Sequence, residues 1–266
     1  MQLFYFFVFI NTFFRYYLFW GDIMNAFASD FDGTLYLLEI EGNYKQSDLN
    51  KIKEFQKQGH LFGICTGRPL IGIVENLKDK VNLDFYIVSS GALILDRDFN
   101  VIDEQLISSD VMKDLYYRYK DIVDIFIQGK AMYAFKRNEE VNILQTLIKD
   151  IDEVEGNVYG LSFNAKTEKN AKRVCKEIKY YYNELDAFQN KEYIDIVKKG
   201  CSKGIAINKV KEAFNIDIIA GIGDSYNDIP MLENADISFT FHSSPDVIKD
   251  KATYIVDSIC EAIEKL

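Results

Sequence analysis

The stretch "ASDFDGTL", Ala28 to Leu35, sets Asp30 and Asp32 one residue apart, behind a short apolar run and ahead of Gly33 and Thr34. Carboxylates this close raise each other's pKa and favour whatever brings positive charge to them. Three later stretches carry groups of matching chemistry: Thr66 in "TGR", Lys203 in "SKG", and Asp224, Asn227 and Asp228 in "GDSYND". Asp30, Asp32, Asp224 and Asp228 offer hard oxygen ligands with no histidine or thiolate among them, a donor set that suits Mg2+. Lys203 and the Thr66 hydroxyl complement a phosphoryl group, and Gly33 lets the backbone turn so that amides can face an anion. An ionised aspartate can attack phosphorus and form an aspartyl-phosphate. A second carboxyl group beside it can pass a proton to the leaving oxygen and then activate water.

The elements needed to gather these groups are readable as an α/β pattern. "NAFAS" is a short buried strand. "SDLNKIKEFQKQG" reads as a helix, with Ser47 as its candidate N-cap and Gly59 just past its end. "HLFGICT" is a strand, "RPLIGIVENLKDK" a helix and "DFYIVSS" a strand, which makes βαβαβ, the mark of a parallel sheet covered by helices. The rhythm then changes. "ALILDRDFNVIDEQLI" reads as a hairpin, followed by a helix, paired strands around Gly129, a helix over "NEEVNILQTLIKD", a strand, a helix capped by Thr167, and the strand "EYIDIVKK". The expected fold is a Rossmann-like parallel-sheet core, residues 24–104 and 190–266, with an inserted α+β cap over 105–189. In such a sheet Asp30, Thr66 and Asp224 fall at the carboxyl ends of three strands and Lys203 opens a helix, so four segments deliver reactive groups to the edge where ligands bind.

With those residues placed, "DFDGT", "TGR", "SKG" and "GDSYND" resemble, in order and rough spacing, the four motifs of the haloacid dehalogenase-like hydrolase superfamily, and the insertion resembles the C2-type cap of its Cof-type sugar-phosphatase branch. The similarity runs from about Asn25 to the C-terminus. It implies a phosphatase in which Asp30 is the nucleophile and Asp32 the general acid/base. Asp30, the main-chain carbonyl of Asp32 and Asp224 would hold Mg2+, with Asp228 supporting it directly or through water. Thr66 and Lys203 would hold the phosphoryl group, Lys203 also orienting Asp30, and Asn227 would reach the phosphate or the Lys203 region. Two positions depart from the pattern: Ser90 stands where such proteins often have asparagine, and "FTFHSSPD" stands where many have a glycine-asparagine turn. Both put the identity of the leaving group in question and leave the phosphoryl chemistry alone.

Plainer roles compete with these. Asp30 and Asp32 could form a simple acidic turn, Thr66 could cap a helix, and Asp228 could cap "DIPMLENA". A lysine opening a helix is badly placed against the helix dipole unless an anion is near, which favours a functional Lys203. Arg68 is expected to bond backbone or carboxylate rather than substrate, and His60 and His242 are not expected to be catalytic. The tyrosines at 116, 117, 119 and 180–182 point around their helices, so most must be core or surface. A hexose phosphomutase and a non-catalytic phosphometabolite-binding regulator are the rival functions.

Composition narrows the partners. The chain has 266 residues, 48% of them hydrophobic, with a net charge of −10. No long basic stripe appears, so nucleic acid is not an expected partner, and an acidic surface disfavours anionic lipid. The expected partner is a small phosphorylated metabolite: a hexose, polyol or pyridoxal phosphate, or flavin mononucleotide. Four scattered cysteines without a CxxC pair read as free thiols in a reducing cytoplasm, in a monomer or small homo-oligomer. The first 23 residues are almost wholly apolar and aromatic. They read as an upstream extension of the reading frame, with Met24 at the natural start of the fold; a membrane anchor interrupted by Arg15 and a packed extra element are the alternatives.

Overall fold

The computed structural model describes residues 24–138 and 143–266. The apolar first 23 residues, and with them the extension and anchor readings, lie outside the described residues. Among the described residues no helix is long and apolar enough to cross a membrane.

The fold is α/β, as expected, and is built on two sheets. The larger has eight strands in the order β14-β13-β12-β1-β2-β3-β4-β5. Its centre is β1 (Asn25–Ser29), flanked by β12 (Ile218–Ile222) and β2 (Leu61–Cys65), both parallel to it. Beyond them β3 (Phe85–Val88), β13 (Ile237–Phe241) and β14 (Tyr254–Val256) continue the parallel run. The hairpin β4 (Leu93–Asp96) and β5 (Val101–Glu104) adds two antiparallel strands at one side. All five residues of β1 are buried, because it is covered on both faces, the usual state of a central parallel strand. Phe27 points to one face and lies between the rings of Phe62 and Phe239, each centroid 5.9 Å away. That face packs on helices α1 (Gln46–Lys57), α2 (Leu70–Leu77) and the C-terminal helix Ile259–Glu264. Ala26 and Ala28 point the other way, where their small size admits helix Lys203–Ala213 and helix Ile229–Asn234.

Helix α1 starts at Gln46 with Lys45 at the cap position and no side-chain cap. Ser47 is therefore inside the first turn, a correction to its reading as N-cap. Gly59 does follow the helix end, with φ +90°.

The second sheet has six strands, β10-β11-β9-β6-β7-β8. They are β6 (Asp124–Gln128), β7 (Met132–Ala134), β8 (Gln145–Leu147), β9 (Gly160–Asn164), β10 (Leu185–Asn190) and β11 (Tyr193–Lys198). Helices α3 (Ser109–Tyr119) and α4 (Glu168–Tyr181) cover one of its faces, with Leu115, Tyr119, Val174 and Ile178 buried there. Thr167 caps α4 as expected, its hydroxyl accepting from Asn170 N at 3.2 Å. Of the tyrosines on these helices Tyr119 and Tyr182 are buried and Tyr117, Tyr180 and Tyr181 exposed, so they divide between core and surface.

Two expectations change here. The segment read as a helix over 138–150 contains β8, which runs parallel beside β7; residues 139–142 of that reading are outside the described set. Ile143, Leu144, Leu147 and Ile148 have helical spacing, but an open sheet edge at β7 supplies backbone partners that the spacing does not reveal. The second sheet also continues past 189 to Lys198, since β11 pairs antiparallel with both β10 and β9. The chain returns to the larger sheet at helix Lys203–Ala213.

Candidate active site

Parallel strands bring their carboxyl ends to one edge, and the groups singled out by type are found there. Asp30 directly follows β1, and its amide donates to Ile222 O at 2.9 Å, which extends the β1–β12 ladder by one residue. Thr66 directly follows β2 and is tied the same way to Ile87 O at 2.9 Å. Asp224 lies two residues beyond β12. Lys203 is the first residue of its helix, whose N-cap Ser202 accepts from Ile205 N at 3.1 Å.

The centre of the site is Lys203. It is only 2% exposed. Its Nζ donates to Asp30 Oδ1 and to Asp228 Oδ1, both at 2.6 Å. Burial opposes the ammonium, but Asp228 and Asp30 outweigh it and hold the lysine well above its ordinary value. Asp30 is pushed up by burial and by repulsion from Asp228 and Asp224, against the pull of Lys203. Asp224 is pushed up to about 6, again by burial and then by Asp228. More negative charge is concentrated here than Lys203 neutralises.

That surplus has a geometry. One ligand atom from each of Asp30, Asp224 and Asp228 lies within 4.8 Å of the others, and three hard oxygen donors at that spacing can share a divalent cation. The three are not equivalent. Asp228 is fully buried and both its oxygens already have protein donors: Oδ1 accepts from Lys203, and Oδ2 accepts from the amides of Asp224 and Ser225, each at 3.0 Å. Asp228 therefore fixes the lysine and the Asp224 turn together. The Asp224 side chain accepts from Thr34 Oγ1 at 3.2 Å. Gly33 makes this approach possible: its φ is +75°, and a Cβ there would lie 2.8 Å from Asp224 Oδ2.

Asp32 points elsewhere. Its carboxylate is bound by the Arg68 guanidinium, Nε to Oδ2 at 2.7 Å and Nη2 to Oδ1 at 2.5 Å. The guanidinium carbon lies 5.0 Å from the centroid of Phe31 and 5.6 Å from that of Tyr36. Arg68 thus bonds a carboxylate, as its sequence reading anticipated. Thr66 is buried and accepts from Arg68 N at 3.2 Å; the helix that follows begins at Leu70, so Thr66 closes a turn rather than capping it. Asn227 lies in the turn before helix Ile229–Asn234, with its amide oxygen accepting from Ser225 Oγ at 2.8 Å. Burial pushes the Cys65 thiol, packed beside Lys203, far up, so it is no thiolate nucleophile. His60 accepts from Asn25 N at 3.3 Å, at the opposite end of β1 from the site.

The structure adds groups that the sequence reading did not single out. Thr34 is one, and its position in "DFDGT" was a readable signal. The second sheet supplies the others: Gln128 Nε2 donates to Gly67 O at 3.2 Å, and Asp195 lies 3.4 Å from Ser90 Oγ. No local motif marks either.

A parallel sheet with a lysine and carboxylates at its carboxyl edge, faced by an inserted α+β unit, defines a class of hydrolase. Over residues 27–263 the chain matches the haloacid dehalogenase-like hydrolases, and it belongs to that family. It is 27% identical over 275 residues to 5-amino-6-(5-phospho-D-ribitylamino)uracil phosphatase YwtE of Bacillus subtilis, covering 88% of this chain and 93% of that protein. Among solved structures it resembles SMU.1108c from Streptococcus mutans UA159, with TM-score 0.79, 21% identity, and 91% and 98% of the two chains covered. It also resembles the HAD subclass IIB sugar phosphatase BT4131, with TM-score 0.77, 22% identity, and 91% and 98% covered.

Proposed function

We propose that this hydrolase is a phosphatase that releases inorganic phosphate from small phosphorylated metabolites, sugar phosphates or similar esters, through an aspartyl-phosphate on Asp30. The carrying observation is the Lys203 ammonium held 2.6 Å from Asp30 in a nearly solvent-free site. A buried lysine pulls Asp30 toward its ionised form and aims one of its oxygens, and its charge offsets that of an incoming phosphoryl group. The phosphatase names of its curated relatives support the reading.

Asp30, Asp224 and the Asp32 carbonyl would hold Mg2+, which when bound lowers the repulsion between carboxylates and phosphate. The other tasks fall to the chain. Asp30 attacks phosphorus while the P–O bond to the leaving alcohol breaks. With one oxygen kept on Arg68 and the other freed and protonated, Asp32 gives that proton to the departing oxygen, and later takes one from the water that hydrolyses the acyl phosphate. Thr66 offers a hydroxyl to the phosphoryl oxygens. Asp228 keeps Lys203 in place. Purified protein assayed for phosphate release from a panel of phosphate monoesters is expected to show turnover that requires Mg2+ and disappears in Asp30→Asn. Turnover retained in Asp30→Asn would overturn the nucleophile assignment, and no turnover on any ester would overturn the phosphatase reading.

A further inference from the structure

Asp195 is a carboxylate that the chemistry above leaves unused. It lies on β11, opposite Ser162 of β9 in the antiparallel ladder. Its side chain is on the sheet face that looks away from α3 and α4, since its neighbours Ile194 and Ile196 are the residues packed under those helices. Ser162 Oγ donates to Asp195 Oδ1 at 2.8 Å, and Gln128 Nε2 donates to Ser162 Oγ at 2.7 Å. This chain of donors fixes one carboxylate oxygen. The other reaches the larger sheet. Ser90 Oγ is a long 3.4 Å from Oδ2, and a Cβ on Gly67 would lie 2.5 Å from it. Glycine between Thr66 and Arg68 is what lets a carboxylate rest on that turn.

The environment of Asp195 is incomplete in a telling way. Burial pushes its carboxyl up, although Ser162, Lys203 and Ser90 pull it down. A carboxylate can accept about four hydrogen bonds; this one has one good donor and one long one, and among the described residues it forms no ion pair. The residue as a whole is half-buried. Its contacts with Gly67 and Ser90 set Asp195 over the Thr66–Arg68 turn, whose Arg68 holds Asp32. On the phosphatase reading, on which this inference rests, the phosphoryl group lies by Lys203 and the leaving oxygen by Asp32. The body of the leaving group then extends toward Asp195.

We propose that Asp195 is a specificity-determining residue that accepts hydrogen bonds from the hydroxyls of a neutral polyol leaving group and repels a leaving group carrying a second anion. A polyol supplies the donors that this carboxylate lacks, whereas an anionic leaving group would add charge beside Asp195 and Asp32. Ser162 is its positioning residue.

The test compares kcat/KM for D-glucitol 6-phosphate, 2-phosphoglycolate and phenyl phosphate in the full chain with Mg2+. In Asp195→Asn the ratio of glucitol 6-phosphate to phenyl phosphate is expected to fall by about tenfold to a hundredfold, and the ratio of 2-phosphoglycolate to phenyl phosphate to rise. Ser162→Ala is expected to lower the first ratio by a smaller factor. Calorimetric affinity for glucitol 6-phosphate, measured in Asp30→Asn with and without Asp195→Asn, reads the same contact without turnover and is expected to weaken by a similar factor. Absent turnover with that affinity loss intact would sink the phosphatase reading and support the Asp195 contact. Equal losses on all three esters, or unchanged ratios with unchanged affinity, would overturn it.

Discussion

Lys203 Nζ stands 2.6 Å from Asp30 Oδ1, and both side chains are almost completely withdrawn from solvent. A buried pair of this kind adds little when intact, but removing one partner leaves a charge with no compensation. Asp228 shares the lysine at the same distance, so Lys203→Met strands two carboxylates. The expected cost is about 3–5 kcal/mol of stability, read from denaturant unfolding, with phosphate release lost as well. The loss should be greater at pH 8 than at pH 5, because Asp30, already pushed up by burial, can take up a proton at the lower pH. A stable, active Lys203→Met protein would show that the lysine is not the organising charge.

The Arg68–Asp32 pair behaves differently. Asp32 is half exposed, with 52% of its side chain accessible, and exposed ion pairs contribute little to stability, about 0–1 kcal/mol. Yet Arg68 binds both oxygens of the residue given the proton-transfer role. Arg68→Ala is expected to change the unfolding midpoint only slightly and to lower kcat by about tenfold or more, the loss typical of a misplaced acid/base group. Arg68→Lys should recover only part, since an ammonium cannot reproduce the two-point grip. An unchanged kcat in Arg68→Ala would mean that Asp32 needs no such support.

The raised carboxyls make a signed prediction for pH. Asp224 has its folded value near 6 and Asp30 is also raised. A carboxyl whose pKa is higher in the folded state favours folding below its unfolded value, near 3.8 for Asp224. That contribution is lost as pH rises through about 6. Metal-free protein should therefore lose stability from pH 4.5 to pH 7.5. A cation held by these groups favours their ionised forms, so the rise in Tm on adding Mg2+ should be small at pH 5 and larger at pH 7.5. A Tm rise independent of pH would place Mg2+ binding on other residues.

Much of the site was legible because its chemistry is local. Asp30 and Asp32 with Gly33, Asp224 with Asp228, and Thr66 each lie where one strand ends and one turn begins, and a short motif records such a place. Lys203 was legible for a physical reason too, as a cation at the wrong end of a helix. The family match over residues 27–263 agrees with what those motifs implied. The second sheet was harder to read. Its antiparallel strands take partners far away in sequence: β11 pairs with β9 across α4 and β10, and β8 follows apolar spacing that suits a helix as well as a strand. Asp195 reached the site through that pairing, and in "YIDIV" it reads as an ordinary polar position of an alternating strand. Ser47 misled because a serine ahead of a helical pattern marks a cap only to within a residue or two.

On the proposed mechanism Asp30 carries the phosphoryl group between the two half-reactions. Asp32→Asn keeps the nucleophile and Lys203 but removes the group that activates water, so the intermediate should persist. The decisive measurement is acid-quenched mass spectrometry of Asp32→Asn after incubation with Mg2+ and a phosphate ester that the unmodified chain hydrolyses. One added phosphoryl group is expected, lost on treatment with hydroxylamine and mapped to Asp30, with no such adduct in Asp30→Asn. A hydrolytically competent chain that yields no adduct in Asp32→Asn, or an adduct mapped to another residue, would contradict it.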